Sequence, residues 1–179
     1  MTISQPESEA AHDARIAEAL TRKDRVTAAR LLVEAHAAAL GKTCMALLGS
    51  QREAEDALRE TLLVALSGSD ERCGDGTLRA RLLGSARRRC ALRLEARPRS
   101  SSLGVPGPDP DMPFSTAQSA RSRLAEIRPS EREALVLRFV GGASPTEVGV
   151  ACGIDETAAE QRVVRGLSRL REMRRKEGR

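Results

Sequence analysis

Aromatic residues are nearly absent from this 179-residue chain, which has no Trp, no Tyr and only Phe114 and Phe139. Strands draw on aromatic and β-branched side chains, so the scarcity argues against a sheet-rich fold. Cysteine is sparse as well. Cys44, Cys73, Cys90 and Cys152 lie far apart with no CxxC pair, which argues against a zinc site and against a disulfide-dense secreted scaffold. They read as reduced thiols, mostly in or near the core. The only histidines are His12 and His36. Neither has nucleophile–base or metal-ligand spacing around it, so no catalytic residue, metal site or cofactor is expected, and the chain does not read as an enzyme. His36 reads as a packed or solvated helix residue. No apolar run approaches a membrane span and the polar, acidic start does not resemble a signal peptide, so the expected location is the cytoplasm, with no membrane partner.

What remains is rich in Ala, Leu, Arg and Glu, all good helix formers. Hydrophobic residues make up 40% and charged residues 31%, which fits an all-α protein with a core of Leu, Val and Ala. The net charge of +5 favours a polyanionic partner without choosing among DNA, RNA and an acidic protein. The basic residues gather in two zones, Arg87 to Arg99 and Arg162 to Arg175. Either zone reads equally as a solvated helix face.

Periodicity divides the chain. Residues 1–12 are polar and unpatterned and read as a disordered tail. A helical domain over 13–97 follows. Its first helix carries Ile16, Ala19 and Leu20 on one face. A longer helix, capped by Asp24 and stopped by Gly49, turns Leu31, Leu32, Ala35 and Ala39 inward. The next is capped by Ser50 and buries Ala54, Ala57, Leu58, Leu62, Ala65 and Leu66, with Glu53, Asp56, Arg59 and Glu60 opposite. Asp56 and Glu60 are one turn apart and form an acidic ridge. Beyond a Gly/Ser/Asp loop over 67–76, a basic helix from Thr77 to Arg97 faces Leu78, Leu82, Leu83, Ala86, Cys90 and Leu94 inward.

Residues 98–115 hold Pro98, Pro106, Pro108, Pro110 and Pro113 among Ser and Gly, and read as a linker. A second domain over 116–179 has four expected helices, at 116–127, 130–140, 145–152 and 155–176. Ser130 and Glu133 have capping-box spacing, and Ser144-Pro145 opens the third helix. Residues 145–171 have the pattern of a helix-turn-helix. Gly149 permits a close crossing, Gly153 supplies the turn, and Val148, Cys152, Ile154, Ala159 and Val163 fill the core positions. Asp155 caps the second helix, whose first turns present Glu156, Thr157, Glu160, Gln161, Arg162 and Arg165. Arg donates two hydrogen bonds to guanine and Gln does the same to adenine, so this helix is suited to a major groove. A helical hairpin for protein contacts would share the pattern.

Residues 123–139 (RLAEIRPSEREALVLRF), 141–149 (GGASPTEVG) and 153–156 (GIDE), followed by Arg162, Arg165, Leu170 and Arg171, resemble region four of extracytoplasmic-function (ECF) sigma factors. Asp24-Arg25, Leu31, Glu34, His36, Leu47-Leu48-Gly49 and residues 54–61 (AEDALRET) resemble region two. The resemblance covers all but the tail and the linker. It implies two small helical domains and a function as an alternative sigma factor, whose partners are core RNA polymerase and promoter DNA, with an anti-sigma protein as a further partner. On the same ground Asp56, Arg59, Glu60 and Leu63 would dock on polymerase. Arg87, Arg88 and Arg93 would contact DNA near the melted start-site element, and Ser144, Thr146, Thr157, Gln161, Arg162 and Arg165 would contact the element further upstream. Two departures stand out. Arg59 occupies a position usually held by Gln, and Leu78 and Arg81 occupy positions commonly held by Phe and Trp. A regulator that binds polymerase or DNA without melting promoters remains an alternative, as does a helical protein–protein adaptor.

Overall fold

Side-chain caps set most of the helix starts. The computed structural model describes residues 9–68, 76–97 and 122–177, and all regular structure among them is helical. The elements are α1 (Glu9–Thr21), α2 (Arg25–Leu32), a π turn (Val33–Ala37), α3 (Ala38–Leu48), α4 (Gln51–Ser67) and α5 (Leu78–Ala96). A helical turn over 122–126 then leads into α6 (Pro129–Phe139), α7 (Pro145–Cys152) and α8 (Glu156–Glu177). Asp24, Ser50 and Thr77 accept from the backbone amides of Thr27, Glu53 and Ala80, satisfying N–H groups that the first helical turn leaves open. The expected linker and the greater part of the loop over 67–76 lie outside the described residues. The expected tail is shorter than 1–12, because Glu9–His12 already belong to α1.

Helices α2 and α3 form one continuous rod through the π turn. An additional residue in that turn shifts the helical phase by about 100°, a feature frequent at functional sites. As a result His36 turns inward at 3% exposure, and Ala35, expected to face the core, is exposed. His36 Nε2 lies 3.1 Å from Asp13 Oδ1 on α1, so the buried ring has a polar partner. Against the sequence expectation, the Arg25–Leu48 rod contains a window of mean hydropathy 1.4, long and apolar enough to cross a bilayer. Its apolar character has a packing explanation. Ala28, Leu31, Leu32, Leu40, Cys44, Leu47 and Leu48 are buried, and the rod packs on α1, α4 and α5. Each fully buried Leu contributes about 1.5–3 kcal/mol.

The C-terminal helices join the same core. Ala134, Val136, Leu137, Ala143, Val148, Ala151 and Ala159 belong to one continuous cluster with Leu31, Leu40, Leu83 and Ala86. Helix α5 packs on α7, and α3 packs on α6. The capping box expected at Ser130–Glu133 does not form. Helix α6 begins one residue earlier, at Pro129, after Arg128, which makes no side-chain cap. Glu133 is instead taken up by Arg87 of α5 at 3.0 Å.

Candidate functional site

The pair α7–α8 has the geometry of a helix-turn-helix. Ser144 and Glu147 form a full capping box at the start of α7: the Glu147 amide donates to Ser144 Oγ at 3.1 Å, and the Ser144 amide donates to Glu147 Oε2 at 2.9 Å. A Cβ on Gly149 would lie 2.9 Å from the Ile154 carbonyl oxygen, so glycine is what lets the turn cross α7 this closely. Gly153 has φ +68, a left-handed conformation that strains any residue with a Cβ. Asp155 caps α8 by accepting from the Ala158 amide at 2.7 Å. Val148 and Ala159 are wholly buried, and Cys152, Ile154 and Val163 pack half-buried against them.

This frame leaves one face of α8 open. Thr157, Glu160, Gln161, Val164 and Arg165 are exposed, and Arg162 is half-buried. Thr146 is exposed at the start of α7 and donates to Glu156 Oε2 at 2.7 Å, tying the first turns of the two helices together. The Ser144 hydroxyl is occupied by its capping bond. The face is thus polar and carries Gln and Arg where a helix N-terminus adds partial positive charge, a setting that favours an anionic ligand.

On α4, Asp56, Arg59, Glu60 and Leu63 lie on the outer side, as the spacing predicts. Arg59 bonds Asp56 at 3.0 Å. Glu60 receives Arg93 at 2.7 Å and lies 3.7 Å from Arg89. Glu53, one helical stretch back, pairs with Arg97, which also donates to the Leu48 carbonyl at 2.9 Å. The ridge is therefore acidic in sequence but partly neutralised from α5. Leu63 stands at its end with 58% of its surface exposed.

The three α5 arginines grouped in the sequence go to three different places. Arg87 donates from Nε to the Ala151 carbonyl at 3.0 Å and from Nη1 to Glu133, so it ties α5 to α6 and α7. Arg93 holds Glu60, a partner that raises its pKa. Arg88 is half-buried on the opposite side of α5 from Arg93. Sequence reasoning missed the contact between the two halves. Besides Arg87, Arg79 donates to the Gly141 carbonyl at 2.6 Å, and the Thr77 hydroxyl bonds Glu147 Oε1 at 2.8 Å. Glu147 thus serves α7 and the contact at once. Burial alone would raise its pKa, but the Ser144 amide, the Thr77 hydroxyl and the Arg79 charge outweigh burial and hold it below the ordinary value. A cleft of about 560 Å³ opens beside this junction, floored by Ile16, Leu20 and Leu78 and edged by Asp13, Arg81 and Glu147. Among the described residues no group of His, Cys, Asp and Glu is placed to hold a metal ion.

Residues 117–170 match the family described as Sigma-70, region 4. Among solved structures, the chain is similar to CnrH, determined in complex with the cytosolic domain of CnrY, at 22% identity and a TM-score of 0.70. That match covers 91% of this chain and 96% of the other. It is also similar to the sigma factor RpoE in its co-crystal with the anti-sigma factor NepR from Bartonella quintana. Here identity is 23% and the TM-score 0.63, over 82% of this chain and 96% of that one. Both are likenesses of fold.

Proposed function

The chain carries a sigma-70 region 4 on the fold of the ECF sigma factors, and from this premise we propose that it binds core RNA polymerase and directs initiation at a defined set of promoters. The observation that supports this most is the α7–α8 frame within the matched residues 117–170, whose open face presents Gln161 and Arg165. In this reading α8 enters the major groove of the upstream element, with Thr157, Gln161, Arg162 and Arg165 toward the bases and Ser144 and Thr146 near phosphate. Asp56, Arg59, Glu60 and Leu63 dock on polymerase. Arg88, together with Arg87 and Arg93 once these leave their present partners, contacts DNA near the start site. An anti-sigma protein is a further partner, and the work is done in the cytoplasm. The protein supplies recognition and no catalytic group, since the chemistry of RNA synthesis belongs to polymerase.

Transcription with purified core polymerase on a library of upstream fragments tests the proposal. Specific initiation at a shared pair of sequence elements is the expected result. A second reading draws on Arg81, exposed at a position where the resemblance leads one to expect an aromatic ring. Polymerase binding without initiation would favour a regulator that does not open promoters.

A further inference from the structure

Helices α3 and α5 run side by side in the same direction, and their register can be followed residue by residue. His36 and Leu40 share one small enclosed space with Arg79 and Leu83. Thr43 Oγ1 and Leu83 Cδ2 both lie close to the same point beside Gly141. Further along, Arg97 reaches the Leu48 carbonyl. Between these points Cys44 of α3 and Cys90 of α5 face each other, 0% and 1% exposed in the same apolar cluster. Their thiols are hydrogen-bonded to one another, and Arg93 stands near enough for its charge to act on both.

We propose that Cys44 and Cys90 are a redox-active dithiol, closed by a peroxide into a disulfide that ties α3 to α5. Two buried thiols used only for packing would both resist ionisation, because burial disfavours the thiolate. This pair is asymmetric. The hydrogen bond from Cys90 lowers Cys44 against the effect of burial, with the Arg93 charge acting in the same direction, and the same bond and burial push Cys90 up. Cys44 is therefore the attacking sulfur and Cys90 the resolving one.

In the first step the Cys44 thiolate takes one peroxide oxygen. The O–O bond breaks, and hydroxide leaves as water with the Cys44 proton, giving a sulfenic acid. The Cys90 sulfur then displaces the hydroxyl group from Cys44, which leaves as a second water with the Cys90 proton, and the S–S bond forms. Two thiols and one hydrogen peroxide yield one disulfide and two waters, and a reducing dithiol reverses the sequence. Because both sulfurs are sealed, the reaction waits on transient opening of α5 from α3, which makes it slow on the intact fold. The consequence is local but well placed. Helix α5 holds Glu60 through Arg93 and the C-terminal helices through Arg79 and Arg87, so a bond that fixes α5 to α3 fixes the support of both.

The test is to treat the full chain with hydrogen peroxide under native conditions, alkylate and quench in acid, and map disulfides by mass spectrometry. The expected result is a Cys44–Cys90 link in protein of unchanged helical content. The link should be removed by dithiothreitol and absent from Cys44→Ser and Cys90→Ser. Its formation should quicken in urea concentrations too low to unfold the chain. Links made by Cys73 or Cys152 instead, or oxidation of Cys44 to sulfinic acid with Cys90 still alkylatable, would overturn the proposal. So would both thiols remaining free after exhaustive treatment. The mapping uses wild-type protein, so it stands even where a serine variant fails to fold.

Discussion

Arg87 on α5 and Glu133 on α6 meet at 3.0 Å across the junction between the N-terminal and C-terminal helices, with side-chain exposures of 20% and 18%. The same guanidinium caps the Ala151 carbonyl at the end of α7. Removing it leaves a half-buried carboxylate and a carbonyl without that partner, a loss of about 1–3 kcal/mol in unfolding free energy. Arg87→Ala should lower the urea midpoint accordingly. It should also loosen the junction, read as an increased radius of gyration in small-angle scattering. Replacing Glu133 with Gln should have a smaller effect, since the amide oxygen still accepts. An Arg87→Ala variant as stable and compact as wild type would show that the apolar contacts between α5 and α7 hold the halves without it.

Glu147 links that junction to acidity. Its folded-state pKa is lowered, so the stability it contributes is present above the unfolded value and is lost as pH falls through the folded one. The window lies below about pH 4.3, the ordinary glutamate value. Glu147→Gln should flatten the stability profile in that window. At neutral pH it should cost about 1 kcal/mol, the worth of a helix cap. Urea titrations of both proteins between pH 3 and pH 7, roughly the range in which glutamates titrate, provide the check. Parallel curves for the two would dissociate Glu147 from the acid response.

Much of this was legible in the sequence because it is local. Asp24, Ser50, Thr77, Ser144 and Asp155 sit before apolar stripes of helical period, and every one of them caps a helix. The failures share a cause. Ser130 and Glu133 have the same local spacing as Ser144 and Glu147, yet Glu133 is claimed by an arginine 46 residues away. The acidic ridge reads as exposed carboxylates, and only packing of α5 on α4 reveals that Glu60 is held by Arg93. The π turn is equally hidden, since no residue type demands the additional residue that exchanges Ala35 for His36. Of the candidate DNA contacts, those on α8 lie where periodicity placed them. Arg87 and Arg93 do not, because a cluster in sequence spreads around a helix at 100° per residue.

The docking ridge gives a test that separates charge from folding. Glu60 is half-exposed, so its pairing with Arg93 contributes little to stability in water. Reversing Asp56 and Glu60 to Arg should leave the circular dichroism of the chain unchanged and abolish capture by core polymerase. Arg93→Ala, which frees Glu60, should bind polymerase at least as well as wild type. Retained capture by the double reversal would remove α4 from the interface.

The open face of α8 makes the last prediction. Arg165 is exposed on that face, four residues beyond Gln161, and its truncation removes no buried contact. Arg165→Ala should therefore leave stability within about 0.5 kcal/mol of wild type. If the side chain reads a guanine, promoter binding by the reconstituted polymerase complex should weaken by about 1–3 kcal/mol, and preference at one base pair should relax. If it meets only phosphate, binding should weaken on all sequences alike, and the slope of log affinity against log salt should fall by about 1. Footprinting on promoter variants at several salt concentrations distinguishes the two outcomes. An unchanged footprint at every salt would clear Arg165 of both and shift the recognition surface toward the first turn, at Thr157 and Gln161.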